Sequence, residues 1–380
     1  MSKINRIRDY SHPKHTKNSV RGVLTVCVLL LFFCTPLFAY QKGVVLGLYS
    51  KDPQHSYAED LVEIKKLGAD HVSLVVSWYQ KDSSANEIYP RYKPFEDFNT
   101  TPDLKIIKVI QQAQKRGLKI FLFPILRIEE RKEKEWRGNI HPKDLQLWLK
   151  NYQNFTLHYA RLAEKYHVTL FSIGSELCSV ENQTQFWNNL IASIRQFYKG
   201  QLIYSANWDH YKKIDFWDKL DFLGLNGYYE LADNSKPKLQ DVIRKWWDIE
   251  NEISAWQEHH HKPLIFTEIG YPSMDGTCQK PWDYTRNAPV DLEEQALCYE
   301  AFFLSWEKSQ KLGGVYFWNW YGQGGVNDRS YTPRGKPAEK VLTKWYRNIP
   351  LSSPSSPLVS SPAAEPKPTA ISLTAPRSSS

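Results

Sequence analysis

Short apolar, β-branched runs recur along the chain, separated by longer stretches with helical spacing. The runs are VVLGLYS from Val44, HVSLVVSWY from His71, KIFLFPIL from Lys119, VTLFSIG from Val168, LIYSANW from Leu202, DFLGLNGYY from Asp221, PLIFTEIG from Pro263 and GGVYFWNWY from Gly313. Between them, DLVEIKKLG from Asp60 sets Leu61, Ile64 and Leu67 at i, i+3 and i+6, and LKIIKVIQQAQKRG from Leu104 has the same character. Strands that alternate with helices predict parallel pairing. Gly68, Gly117 and Gly200 each stand just before a strand, where a left-handed helix cap is expected. Eight such units predict an α/β fold of one closed (β/α)8 barrel. No glycine-rich phosphate fingerprint follows the first run, which disfavours a dinucleotide-binding sheet.

In a barrel of this kind all strand C-termini open on one face. The residues ending the runs are Tyr49, Trp78, Arg127, Glu176, Asn207 with Trp208, Tyr228 with Tyr229, Glu268, and Trp318 with Trp320. This set is aromatic and polar, which suits a sugar with hydroxyls at its rim and apolar CH groups on its faces. Glu176 and Glu268 lie 92 residues apart, about three strand-helix units where a whole barrel takes about 250 residues. They read as the ends of strands four and seven. Two facing carboxylates can break a glycosidic bond, one donating a proton while the other attacks.

Trp78, Asn207, Trp208, Tyr228 and Trp318 are the substrate-binding candidates, with Tyr228 also able to orient Glu268. Trp318 is the best platform, and Trp320 suits core or wall. Trp148, Trp246 and Trp247 read as helix packing. His259, His260 and His261 immediately precede strand seven, so they belong to the face opposite the mouth and read as a solvated helix end. No other His, Cys or carboxylate grouping has metal-ligand spacing. The proposed chemistry needs no metal or organic cofactor.

The formal charge of +8 changes meaning once it is located, because +5 of it lies in the first 21 residues. A tail carrying the charge argues against a nucleic-acid partner, which calls for a folded basic patch. The apolar run Gly22–Ala39 follows directly. Residues 1–40 therefore read as an export signal cleaved near Ala39 or Tyr40, or as an uncleaved N-terminal membrane anchor. Leu37 at the −3 position is not the small residue that cleavage favours. Both readings place the domain, residues 41–350, outside the cytoplasm: secreted, periplasmic or held at the outer side of the membrane. Residues 351–380, rich in Ser, Pro and Ala, read as a disordered tail.

Cys27 and Cys34 fall in the export segment, leaving Cys178, Cys278 and Cys298 in the domain. An odd number leaves at least one free or paired with another chain. A Cys178–Cys278 bridge across the mouth and three unpaired thiols are both compatible with the spacing.

The chain resembles glycoside hydrolase family 113, in the retaining barrel clan whose members are chiefly endo-β-1,4-mannanases. The resemblance spans nearly all of residues 43–347 and rests on WRGNIHP from Trp136, FSIGSEL from Phe171, YSANWDH from Tyr204, FWDKLDFLGLNGYYEL from Phe216, FTEIGYPS from Phe266, PWDY from Pro281 and YFWNW from Tyr316. It implies Glu176 as acid/base, Glu268 as nucleophile, and mannan or glucomannan as substrate. Many clan members have Asn before the acid/base, where it can hold the sugar's 2-hydroxyl; this chain has Ser175, and Asn207 or Asn226 is left to make that contact. Retention predicts carboxyl groups about 5–5.5 Å apart, against roughly 6.5–9.5 Å for inversion. A carbohydrate-binding or cell-surface barrel without turnover is the competing reading. Oligomeric state is not encoded in any of these features.

Overall fold

The computed structural model describes residues 39–348 except 51, 53, 94, 95, 97 and 98; the export segment and the C-terminal tail inferred from sequence lie outside the described residues, Ala39 and Tyr40 apart. Eight parallel strands close into a barrel in sequence order: β1 (Gln41–Gly47), β2 (His71–Gln80), β3 (Lys119–Ile128), β4 (Leu170–Ser175), β5 (Gln201–Asn207), β6 (Leu223–Asn226), β7 (Leu264–Ile269) and β8 (Leu312–Phe317). Pairing of β1 with β8, Gln41 opposite Gly314, completes the ring. The expected (β/α)8 architecture is the one observed.

Alternation along each strand divides the core in two. Val45, Val75, Phe121, Phe123, Ile203 and Ile265 fill the inside of the barrel. Leu46, Leu74, Val76, Leu122 and Phe171 face outward into the larger core beneath the helices. Both faces are apolar because both are covered, which is why the strands read as continuous hydrophobic runs.

The helices are α1 (Ala58–Lys66), α2 (Asp103–Lys115), α3 (Leu145–Lys165), α4 (Thr184–Arg195), α5 (Leu239–Gln257), α6 (Leu292–Trp306) and α7 (Pro337–Asn348). Leu61, Ile64 and Leu67 are buried as their spacing predicts. Asp144 and Asp291 cap α3 and α6 by accepting backbone N–H bonds from Leu147 and Glu294. Gly68 and Gly117 take positive φ, +99° and +67°. Gly200 is not among the positive-φ residues. Its role is close approach, since a Cβ there would lie 2.3 Å from the Tyr198 hydroxyl.

Two further expectations are corrected. Between β5 and β6 the crossover consists of two 3-10 turns, Tyr211–Lys213 and Trp217–Lys219. Buried Trp217 anchors the segment by donating its indole N–H to the Tyr211 carbonyl at 2.9 Å. Trp148 and Trp246 pack in the core as expected, whereas Trp247 is 48% exposed: adjacent residues on a helix point about 100° apart, so only one of the pair can face the sheet.

Candidate active site

The two glutamates reach the same cavity by different local devices. Glu176 follows the last residue of β4 with φ of +53°. A register irregularity between Ser172 and Ser175 precedes it. Bulges of this kind re-aim side chains at barrel rims, and a non-glycine residue with positive φ marks a strained, over-determined position. Here its N–H is held by the Ser205 carbonyl at 2.9 Å and the next N–H, of Leu177, by the Tyr204 hydroxyl at 2.9 Å. Glu268 lies within β7, where the pairings with both β6 and β8 shift register beside it.

Both carboxylates are buried, and their partners differ. Glu176 accepts from the Asn226 amide at 2.9 Å through Oε1 and pairs with the Arg137 guanidinium at 3.1 Å through Oε2. Thr267 donates to Asn226 Oδ1 at 2.8 Å, which fixes the amide with its NH2 toward Glu176. Glu268 accepts from the Tyr228 hydroxyl at 2.9 Å through Oε2, while its Oε1 is buried without a hydrogen-bond partner among the described residues.

Burial, and then the Glu176 carboxylate nearby, push the Glu268 carboxyl up to about 8, with Arg137 and the Tyr228 hydroxyl opposing the rise. The guanidinium that opposes the rise is the one that contacts Glu176 at 3.1 Å, so Arg137 acts on both carboxylates of the cleft.

The surrounding cavity has a volume of about 870 Å³ and takes in both glutamates, Asn207, Trp208, Tyr228 and Trp318. Thus six of the seven candidate residues meet. Trp78 does not. Its indole lies 5.5 Å from the Phe155 ring and 5.4 Å from the His158 ring of α3, on the outward face of β2. Strand parity decides this: Ser77, one residue earlier, faces inward and accepts from Arg127 Nε at 3.2 Å. Trp320 is core, its indole N–H bonded to Glu63 and its ring beneath Arg334. Of the two asparagines left to replace the missing one, Asn226 is fully buried and engaged, whereas Asn207 lines the cavity with its amide NH2 donated to Asp209 Oδ1 at 2.7 Å.

The profile of Glycoside Hydrolase Family 113 matches residues 44–336. The chain belongs to that family. It is accordingly a glycoside hydrolase. Solved structures similar to this family 113 barrel include a GH113 β-1,4-mannanase in a complex, 25% identical, with 82% of this chain and 99% of that chain covered and a TM-score of 0.71. The GH113 β-mannanase AaManA from Alicyclobacillus acidocaldarius in complex with ManMIm is 26% identical over 82% of this chain and 98% of that one, again with a TM-score of 0.71. A β-glucuronidase of Faecalibacterium prausnitzii, 14% identical with a TM-score of 0.55 over 82% of this chain and 49% of that one, shares the fold. No curated protein sequence matches the chain.

Within the family 113 barrel, several site residues escape sequence reasoning. Arg137 comes from the loop between β3 and α3, inside WRGNIHP; Trp282 and Tyr284 come from PWDY in the loop after β7. Both motifs carry the resemblance but sit far from any strand end. Trp282 stacks near-parallel to Trp208 at 6.2 Å and 22°, which extends the aromatic wall. A second cavity, about 350 Å³, shares Arg137 and Tyr284 with the first and is also lined by Tyr79 and Glu129.

The cysteine expectation is corrected as well. Cys278 pairs with Cys298 of α6, and Cys178 is free. The loop after β7 folds back over its own following helix, where Glu294 accepts from the Cys278 and Gly276 N–H groups, so Cys278 lies by α6.

Proposed function

We propose that the chain is an exported, retaining endo-β-1,4-mannanase. The observation that carries the reading is a pair of buried carboxylates, from β4 and β7, with opposite surroundings in one cleft. Glu268 offers an unpaired oxygen, Oε1, for attack, and Tyr228 steadies the other. In the first step Oε1 bonds to the anomeric carbon as the glycosidic bond breaks, and Glu176 gives its proton to the departing oxygen. Water then adds, Glu176 takes the water's proton, and the ester to Glu268 breaks. Positive charge developing on the sugar favours ionised Glu268 as the attacking group.

Mannan is favoured because the family 113 structures similar at 25–26% identity are β-mannanases. Endo action is supported by the second cavity bordering the cleft at Arg137 and Tyr284, which offers room for a polymer to extend beyond the glutamates. Asn207 is the side chain available for the sugar's 2-hydroxyl, and Trp318 and Trp208 supply platforms. Export rests on the basic flank and apolar run of residues 1–39; cell fractionation with N-terminal sequencing of the mature protein tests it, and retention in the cytoplasm overturns it.

The deciding experiment measures reducing ends released from β-1,4-mannan, glucomannan, cellulose and chitosan, with Glu176→Ala and Glu268→Ala as controls. Mannan cleavage lost in both variants is expected. An aryl mannoside with a leaving group that needs no proton separates the roles: Glu176→Ala keeps its first step, Glu268→Ala does not. No turnover of any polymer, with binding retained, would favour a carbohydrate-binding barrel.

A further inference from the structure

Just behind the acid/base, two loops bring together three side chains of metal-binding type. Cys178 and Glu181 lie on the loop between β4 and α4, and His210 lies on the loop after β5. The thiol, one carboxylate oxygen and one imidazole nitrogen are all within 4.8 Å of one another. Glu181 is 3% exposed, and its Oε1 accepts from the Tyr204 hydroxyl at 2.7 Å. Its Oε2 is buried and faces His210 Nδ1 at 3.4 Å, a pairing that is ionic only when the imidazole is protonated. A buried carboxylate is costly to ionise unless positive charge completes it, which neutral imidazole does not supply.

We infer that Cys178, Glu181 and His210 form a binding site for a divalent transition-metal ion, with zinc the best chemical match. One sulfur, one nitrogen and one carboxylate oxygen suit a borderline-soft ion; calcium and magnesium call for oxygen alone. Tetrahedral bonds of about 2.0 Å put neighbouring N and O ligands about 3.3 Å apart, close to the 3.4 Å between His210 and Glu181. Tyr204, bonded to the other carboxylate oxygen, orients the ligand from behind. His210 is 30% exposed and Cys178 partly so, which leaves water access to a fourth position. Binding converts the Cys178 thiol to thiolate and releases one proton.

Such an ion would join the loop that begins at Glu176 to the loop carrying Asn207 and Trp208. The same Tyr204 hydroxyl that bonds Glu181 also accepts the Leu177 N–H, so the site is connected directly to the backbone that aims Glu176.

The test uses the full chain with Cys27 and Cys34 changed to Ala, stripped with a chelator and titrated with Co²⁺ and then Zn²⁺. One Co²⁺ per chain with a thiolate-to-cobalt charge-transfer absorption, displaced by Zn²⁺, is expected. The band should vanish in Cys178→Ser, and zinc affinity should fall at least about tenfold in His210→Ala while a His259→Ala/His261→Ala control leaves both unchanged. Alkylation at Cys178, mapped by mass spectrometry, needs no further variant: one equivalent of Zn²⁺ should slow it at least about tenfold. Absence of the band together with an unchanged alkylation rate overturns the site, as does a zinc affinity unaltered in a folded Cys178→Ser protein.

Discussion

The Tyr228 hydroxyl donates to Glu268 Oε2 at 2.9 Å and leaves Oε1 of the same carboxylate unpaired. One oxygen is thereby held and the other kept for bonding to carbon. Tyr228 comes from the segment just after β6 and Glu268 from β7, so the contact crosses neighbouring strands at the barrel mouth.

Tyr228→Phe removes a bond to a group that carries charge during the reaction, worth about 1.5–3 kcal/mol. The expected result is a kcat lower by roughly 10- to 100-fold with KM within about threefold, measured on a mannan oligosaccharide. An unchanged kcat would remove Tyr228 from the site's function.

Glu268→Gln tests the buried charge through stability. The folded carboxyl is pushed up to about 8 from an ordinary value of 4.5, so the folded state binds the proton more tightly than the unfolded state. Stability from this group is present below about pH 4.5 and is lost as pH rises toward 8. Glu268→Gln should therefore melt close to wild type at pH 4.5 and higher by roughly 2–5 °C at pH 8.5, read by thermal scans at both pH values. An equal difference at the two values would refute the assignment.

Arg137→Gln takes away the cation nearest the pair. Arg137 holds the Glu268 carboxyl down, so without it Glu268 binds its proton more strongly and the acidic limb of the kcat/KM profile should move to higher pH. A pH–rate series on wild type and variant checks the direction.

Trp78 and Trp282 should separate cleanly. Trp78→Ala is expected to cost about 2–4 kcal/mol of stability and leave KM unchanged, because the ring packs on α3. Trp282→Ala should raise KM about 3- to 10-fold, the loss of one aromatic face at about 0.5–1.5 kcal/mol, with little change in melting. Chemical denaturation and steady-state kinetics on both variants decide it.

Cys298→Ser opens a bridge between residues 20 apart. Chain-entropy reasoning gives about 3 kcal/mol for a loop of this size. Wild type with reductant and Cys298→Ser without it should show the same lowered midpoint in urea, whereas Cys178→Ser should not respond in this way.

The sequence by itself determined the alternation of strands and helices, the count of eight, and the positions of Glu176 and Glu268 at strand ends. These depend on spacing of a few residues, which local pattern encodes: Leu61, Ile64 and Leu67 mark a buried helix face without reference to anything distant. What only the tertiary structure decided is every relationship between remote segments. The phase of β2, which sends Trp78 outward and Ser77 inward, is hidden because both faces of a barrel strand are apolar. Arg137 meets Glu176 only because a long loop folds over the mouth, and no periodicity marks it. Cys278 chooses Cys298 over Cys178 because its loop turns back onto α6. The same closure gathers Cys178, Glu181 and His210 from two loops, and it buries Glu268 while putting a guanidinium on Glu176. Distances of a few ångströms across the barrel, set by its closure, carry that information.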